Sequence, residues 1–115
     1  LDDLLDRYQE LAAVGIRPAT PIQHGVTTSL YYRDPDCNFV ELQIDNFATS
    51  AEATAYMQGP DYAADGVGPA FDVDRMIEAR AKGTSVAEVT TRAWAHAGPA
   101  MPDPMIALTS TEITI

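Results

Sequence analysis

The segment from Val26 to Asp45 predicts a β-hairpin, and no other part of the sequence constrains the fold as strongly. Its first half, as far as Arg33, is rich in the β-branched and aromatic residues that favour strands. The next five residues, Asp-Pro-Asp-Cys-Asn, are typical of turns. From Phe39 onward apolar residues recur at every second position, which predicts a strand with one apolar face formed by Val40, Leu42 and Ile44.

Strand pairing predicts a cluster of polar side chains on the other face of this hairpin. If the strands pair symmetrically about Asp36, Tyr31 lies opposite Glu41, and directly opposed residues share a sheet face with Cβ atoms about 4.5–5.5 Å apart. His24 lies just before the hairpin, so His24, Tyr31 and Glu41 form the candidate site. An ordinary structural interpretation stays open, in which Glu41 is solvated on an open face and Tyr31 only packs.

The stretch HGVTTSLYYRDPDCNFVEL resembles the last hairpin of the vicinal oxygen chelate superfamily, which includes glyoxalases, bleomycin-resistance proteins and extradiol ring-cleavage dioxygenases. The resemblance implies a βαβββ module that curls into a cup, with the Glu of its last strand, here Glu41, as a metal ligand. A His before the hairpin and a Tyr on its first strand resemble the dioxygenase branch. The resemblance therefore implies that His24 and Tyr31 are catalytic residues beside the metal.

The function implied by the resemblance is that of an oxidoreductase, an Fe(II)-dependent extradiol dioxygenase that cleaves catechol-type aromatic compounds with dioxygen. Such a site holds Fe(II) with two His and one carboxylate. Glu41 would be the carboxylate, and the two His would come from strands absent from this sequence. Mn(II) or another divalent metal is an alternative cofactor. A glyoxalase-like metal enzyme of the same superfamily and a non-catalytic small-molecule binding module remain as alternative functions.

One residue of the turn departs from the superfamily's usual Asp-Pro-Asp-Gly-Asn. Cys37 stands where that pattern has Gly. Glycine reaches positive φ without a steric penalty and cysteine does not, so we expect this turn to be slightly strained or of another type.

The order of elements predicts an α+β fold that contains only part of the superfamily's module. Residues 1–14 have the apolar spacing of an amphipathic helix, with Gly15 as its stop, and residues 16–23 read as a strand broken by two prolines. Residues 1–47 would thus be a βαβββ module lacking its first strand, which carries a metal-binding His in the superfamily. An upstream segment or a partner chain, as in a homo-oligomer, would complete the cup.

The remainder is expected to be a loop and helical extension over residues 48–97 and a Pro-rich tail over residues 98–115. Within the extension, the pattern predicts helices at 50–57 with Ser50 as cap, at 71–81 with Asp72 or Asp74 as N-cap, and at 85–95. The β propensity of MIALTSTEITI predicts a possible terminal strand over residues 105–115.

Charge and composition exclude some classes of partner. The net charge of −10, with seven scattered basic residues, argues against binding to nucleic acid or to an anionic membrane surface. No apolar run approaches the roughly 20 residues of a membrane-spanning helix. A single Cys excludes an internal disulfide framework and is typical of a reducing compartment, so we expect a cytoplasmic protein.

Overall fold

A computed structural model describes residues 1–110 and confirms the α+β class. One antiparallel sheet is flanked by helices, and the elements in chain order are α1 (Asp2–Ala13), β1 (Thr20–Gln23), β2 (Thr27–Arg33), β3 (Phe39–Asp45), α2 (Ser50–Met57), α3 (Pro60–Ala64), α4 (Val73–Ala81), α5 (Val86–Val89), α6 (Arg92–Ala97) and α7 (Pro104–Thr109). Among residues 1–110, no helix combines the length and apolar character needed to cross a membrane.

The sheet has the order β1-β2-β3, with β2 in the centre. The pairing of β2 with β3 places Tyr31 opposite Glu41, as the symmetric hairpin predicted. On its other side β2 pairs with β1, and Thr20 lies opposite Tyr31. One sheet face therefore carries Tyr31 and Glu41, and the opposite face carries Leu30 and its apolar neighbours.

The hydrophobic core lies on that apolar face, between the sheet and helices α1 and α4. Helix α1 buries Leu4, Leu5 and Tyr8 of its predicted apolar stripe, and Leu1 and Leu11 of that stripe pack against the core. From the sheet, Leu30 and Tyr32 enter the core, and Leu42 and Ile44 pack against it. The predicted apolar face of β3 is thus confirmed for Leu42 and Ile44, whereas Val40 remains 46% exposed near the turn.

The turn between β2 and β3 is held together by Asp34. Its carboxylate accepts hydrogen bonds from the backbone N–H groups of Asp36 and Asn38 at 3.0 and 2.8 Å. Cys37 has φ of +68°, the left-handed region that side chains disfavour. The residue that replaces glycine therefore keeps the glycine-like conformation, so the expected strain is present at this position.

The helical extension agrees with the sequence in part. Helix α4 begins after Asp72, which caps it, and Thr49 rather than Ser50 caps α2. The single helix predicted over residues 85–95 is wrong, because two helices, α5 and α6, occupy this stretch. The Thr90 hydroxyl bonds back to the Val86 carbonyl, and Thr91 leaves the helix to cap α6 through the N–H of Trp94.

Three further predictions need correction. The strand predicted over residues 16–23 is shorter, since pairing begins only at Thr20, beyond Pro18, which has no N–H to donate. Helix α3 lies between the helices predicted at 50–57 and 71–81, where the sequence pattern predicts none. The terminal strand predicted over residues 105–115 is wrong for residues 105–109, which belong to helix α7. Asp103 caps this helix and Pro104 is its first residue, and this combination favours the start of a helix over the local β propensity. Residues 111–115 of that predicted strand lie outside the described residues.

Candidate functional site

The structure brings two of the candidate residues into direct contact. His24 follows β1, and its N–H donates to the Thr27 carbonyl at 3.0 Å, which closes a tight turn into β2. This turn directs the imidazole over the sheet face that carries Tyr31. The His24 Nε2 atom and the Tyr31 hydroxyl are 2.8 Å apart, and the two rings meet edge to face.

The imidazole of His24 is held from its other side by a backbone carbonyl. Nδ1 lies 2.6 Å from the carbonyl oxygen of Val67, in the loop between α3 and α4. A carbonyl oxygen only accepts hydrogen bonds, so Nδ1 carries a proton. In the neutral imidazole Nε2 then has a lone pair, and the hydroxyl of Tyr31 donates to it.

Tyr31 connects His24 with Glu41. Burial, and after it the hydrogen bond and charge of the Glu41 carboxylate, raise the pKa of Tyr31 to about 12. The phenol therefore keeps its proton near neutral pH and acts as a donor. The Tyr31 hydroxyl contacts Nε2 of His24 directly, and Glu41 lies opposite Tyr31 in the strand pairing, so the three predicted residues lie on one side of the sheet.

The side chain of Glu41 is exposed to solvent. Its strand β3 is exposed at most positions, and its side chain projects from the face opposite the core. No group of three or more His, Cys, Asp or Glu within residues 1–110 is arranged to hold a metal ion. The exposed Glu41 carboxylate is one oxygen-donor group that a metal could bind at this face.

A buried polar network supports the turn beneath His24. The amide nitrogen of Asn46 donates to Gln23 Oε1 at 2.8 Å and to the carbonyl of Gly25 at 2.9 Å. Gln23 Oε1 also accepts from the N–H of Gly25, while its amide nitrogen donates to Thr28. Gln23 and Thr28 are fully buried, so these bonds satisfy groups that would otherwise be costly to bury.

Sequence reasoning did not find Val67, Asn46 or Arg92, which hold His24 in place. Val67 acts through its backbone carbonyl, which no side-chain pattern can reveal. Arg92 on α6 donates to the carbonyl of His24 across 68 positions of the chain, and no local motif marks it. A turn-forming Asn directly after β3 was the one available signal for Asn46.

Comparison with known proteins links the chain to enzymes that act on an aromatic diol. Both relatives come from Rhodococcus globerulus and are named biphenyl-2,3-diol 1,2-dioxygenases. Dioxygenase 2 is 61% identical over 111 residues, which cover 96% of this chain and 58% of the relative. Dioxygenase 3 is 58% identical over 95 residues, which cover 83% of this chain and 50% of the relative.

The chain thus spans little more than half the length of these relatives. No protein-family model matches the sequence, and no solved structure matches it. The two relatives agree with the resemblance drawn from the hairpin, since both are dioxygenases by name.

Proposed function

We propose that the chain is part of an Fe(II)-dependent extradiol dioxygenase that cleaves a catechol-type ring. The observation that carries this proposal is the 61% identity to biphenyl-2,3-diol 1,2-dioxygenase 2 along 96% of the chain. The contact between His24 and Tyr31, on the sheet face that carries Glu41, supports it independently. A glyoxalase-like enzyme or a simple binding module gives no reason for this pair.

The name of the relatives suggests the substrate and the cleaved bond. In biphenyl-2,3-diol the hydroxyl groups are on carbons 2 and 3, and the name of the relatives gives positions 1 and 2 for the reaction. The cleaved bond would then lie next to the diol rather than between its carbons, which is extradiol cleavage. For this chain we infer a 2,3-dihydroxylated biaryl or a similar catechol as the substrate, with dioxygen as the second reactant.

The residues present fit one position of an iron site. Glu41 offers an exposed carboxylate, the oxygen ligand of a site with two His and one carboxylate. When bound, Fe(II) supplies open positions at which a catechol and dioxygen meet. The two His ligands would come from outside residues 1–110.

Within this chain, His24 and Tyr31 would divide the proton chemistry between them. Nδ1 of His24 is occupied by the Val67 carbonyl, so only Nε2 can take a proton from a diol hydroxyl. Tyr31, with its pKa raised to about 12, stays protonated and donates a hydrogen bond. A diol oxygen that enters between Nε2 and the Tyr31 hydroxyl would replace their direct 2.8 Å contact, give its proton to His24 and accept a hydrogen bond from Tyr31.

The sheet supports the proposal that residues 1–47 are an incomplete module. In the described part of the chain, β3 pairs with β2 on one side and has no strand on the other. Phe39 and Val40 at its start are exposed, at 37% and 46%. A strand from an upstream segment or from a second copy would cover this edge and complete the cup, with residues 48–97 as the helical extension and 98–115 as the tail.

Substitution of Glu41 tests the function. In the full-length protein with Fe(II), Glu41→Gln should lower dioxygen uptake with biphenyl-2,3-diol by more than about 100-fold, because an amide replaces the anionic ligand. Asp45→Asn is the matched control, since Asp45 shares the strand and the face of Glu41. Mass spectrometry with ¹⁸O₂ should show both labelled oxygen atoms in the product.

Asp45→Asn should keep nearly full activity. Unchanged oxygen uptake by Glu41→Gln would refute the metal-ligand role. A wild-type protein that binds the diol without consuming oxygen would support the binding module instead.

A further inference from the structure

Arg92 makes an unusual set of contacts for a residue of a short helix. It is the first residue of α6, and its guanidinium group donates to three backbone carbonyls. Nε and Nη2 lie 3.1 and 2.6 Å from the carbonyl oxygen of His24. Nη1 lies 2.6 Å from the carbonyl of Asp65 and 3.2 Å from that of Asp61. Arg92 thus joins the His24 turn to the loop after α3.

These two segments hold the imidazole of His24 between them. The turn carries the ring, and the loop carries the Val67 carbonyl that accepts from Nδ1. The loop is shaped by Asp65, whose carboxylate accepts from the N–H groups of Val67 and Gly68 at 3.0 Å each. These bonds, with that from Gly68 as the larger cause, keep the pKa of Asp65 below its usual value. If the turn and the loop move apart, Nδ1 of His24 therefore loses the Val67 carbonyl as its hydrogen-bond acceptor.

The charge of Arg92 is directed at these carbonyls and not at a carboxylate. In residues 1–110 the salt bridges are formed by Arg7, Arg80 and Lys82. The Arg92 side chain is half-buried beside the rings of Tyr56 and Tyr62, with centroid distances of 5.8 and 6.0 Å. A planar fork with five fixed donors suits three carbonyls at different angles, and a lysine could not serve all three.

We propose that Arg92 is a positioning residue that clamps the His24 turn to the loop of Val67 and so fixes Nδ1 of His24 as donor and Nε2 as the atom facing Tyr31. Its effect on catalysis rests on the proposed function, whereas its effect on the imidazole does not. Without Arg92 the loop can separate from the turn, Nδ1 loses its acceptor, and the ring is no longer confined to one tautomer and one orientation.

The first measurement is the ¹⁵N NMR spectrum of the His24 ring in the full-length, iron-free protein, assigned with His24→Gln. The wild type should show one tautomer, with Nδ1 protonated. Arg92→Ala should show averaged ¹⁵N shifts of both ring nitrogens, and Arg92→Lys, which keeps the charge and part of the bonding, should give an intermediate result. Should Arg92→Ala fail to fold, averaged ¹⁵N shifts in Arg92→Lys would support the positioning role, and a spectrum identical to that of the wild type would refute it.

Arg75→Ala is the matched control. Arg75 also donates to a backbone carbonyl, that of Trp94 at 2.8 Å, and stacks on the Trp94 ring at 3.7 Å, but it does not contact the His24 turn. This substitution should lower the melting temperature and leave the His24 tautomer unchanged. A shift of the tautomer in Arg75→Ala equal to that in Arg92→Ala would reduce the role of Arg92 to general stability and overturn the proposal.

Kinetics of the iron-loaded protein give the second readout. Arg92→Ala should lower kcat by about 10- to 100-fold with KM nearly unchanged, because a misplaced proton acceptor affects the reaction more than substrate binding. Added methylguanidinium should restore part of kcat. If Arg92→Ala retains the single tautomer, the positioning role is refuted. An inactive wild type that has the single tautomer would instead contradict only the dioxygenase function.

Discussion

The two outer strands of the sheet differ in how this chain supports them. Three of the four residues of β1 are buried, and β1 is packed against α7 of the tail and bridged from Ile22 to Ala70 of the helical extension. Five of the seven residues of β3 are exposed. His24 follows the supported strand and Glu41 lies on the exposed one. The chain therefore holds its proposed proton acceptor rigidly and leaves its proposed metal ligand to be completed by other groups.

The same contrast appears in the hydrogen bonds. His24 is fixed through both ring nitrogens, and its carbonyl is held by Arg92. Glu41 is exposed, and its neighbour across the strand pair is Tyr31. A catalytic group that must act in one tautomer needs such constraint, whereas a metal ligand is ordered further by the metal itself.

The largest expected difference between the strands is in core packing. Leu30 on β2 and Val40 on β3 share a sheet face, but Leu30 is fully buried and Val40 is 46% exposed. Leu30→Ala should lower the free energy of unfolding of the 115-residue chain by about 2–5 kcal/mol, through lost burial and a cavity. Val40→Ala should change it by less than about 0.5 kcal/mol. Urea unfolding measures both, and equal losses would contradict the contrast.

A second comparison concerns the loop that holds His24. Gly68 and Gly83 both have positive φ, at +90° and +93°, but an added Cβ at Gly68 would clash with the Gln23 carbonyl oxygen, while at Gly83 it would meet open space. Gly83→Ala should lower the free energy of unfolding by about 1–2 kcal/mol through backbone strain alone. Gly68→Ala should lower the free energy of unfolding by about 1–3 kcal/mol more than Gly83→Ala does, because the loop must move away from the Gln23 carbonyl.

Thermal unfolding of the two variants gives these costs. Gly68→Ala should also alter the ring signals of His24, since the neighbouring Val67 carbonyl shifts with the loop, and Gly83→Ala should not. Identical melting temperatures for the two variants would show that the close approach of Gly68 to β1 is unimportant.

The smallest expected effects separate the two faces of β2. The Tyr31 hydroxyl bonds to His24, whereas the buried hydroxyl of Tyr32 has no hydrogen-bond partner among the described residues. Tyr31→Phe should lower the free energy of unfolding by about 1 kcal/mol, and Tyr32→Phe should leave it unchanged or raise it by up to about 1 kcal/mol. Chemical denaturation at pH 7 distinguishes the two outcomes, and a larger loss for Tyr32→Phe would refute this assignment.

The pH dependence adds a further check on Tyr31. The pKa of Tyr31 is raised to about 12, chiefly by burial, from a usual value of 10.0. A folded-state pKa above the unfolded one stabilises the protein fully below pH 10, and this contribution is lost as the pH rises from about 10 to 12. The stability difference between wild type and Tyr31→Phe should therefore shrink across that range, and a constant difference would contradict the raised pKa.

The hairpin and its register could be predicted because both are local. Alternation along β3, the turn residues around Asp36 and the rule that opposed residues share a face were enough to pair Tyr31 with Glu41. The helix α1 and the cap of α4 at Asp72 followed from spacing and capping rules. The break between α5 and α6 and the helix at Pro104–Thr109 were missed, since capping side chains there outweighed propensity.

Local sequence patterns were enough to predict which residue types face each other across the hairpin, and the resemblance to dioxygenases indicated their chemistry. The orientation of the His24 ring depends on the three-dimensional packing, because the partners of His24 lie 43 and 68 positions away along the chain. Backbone carbonyls and loop-to-turn distances leave no trace in a local pattern. They arise when the helical extension folds back onto the start of the hairpin, and that packing selects Nε2 of His24 as the atom that faces Tyr31.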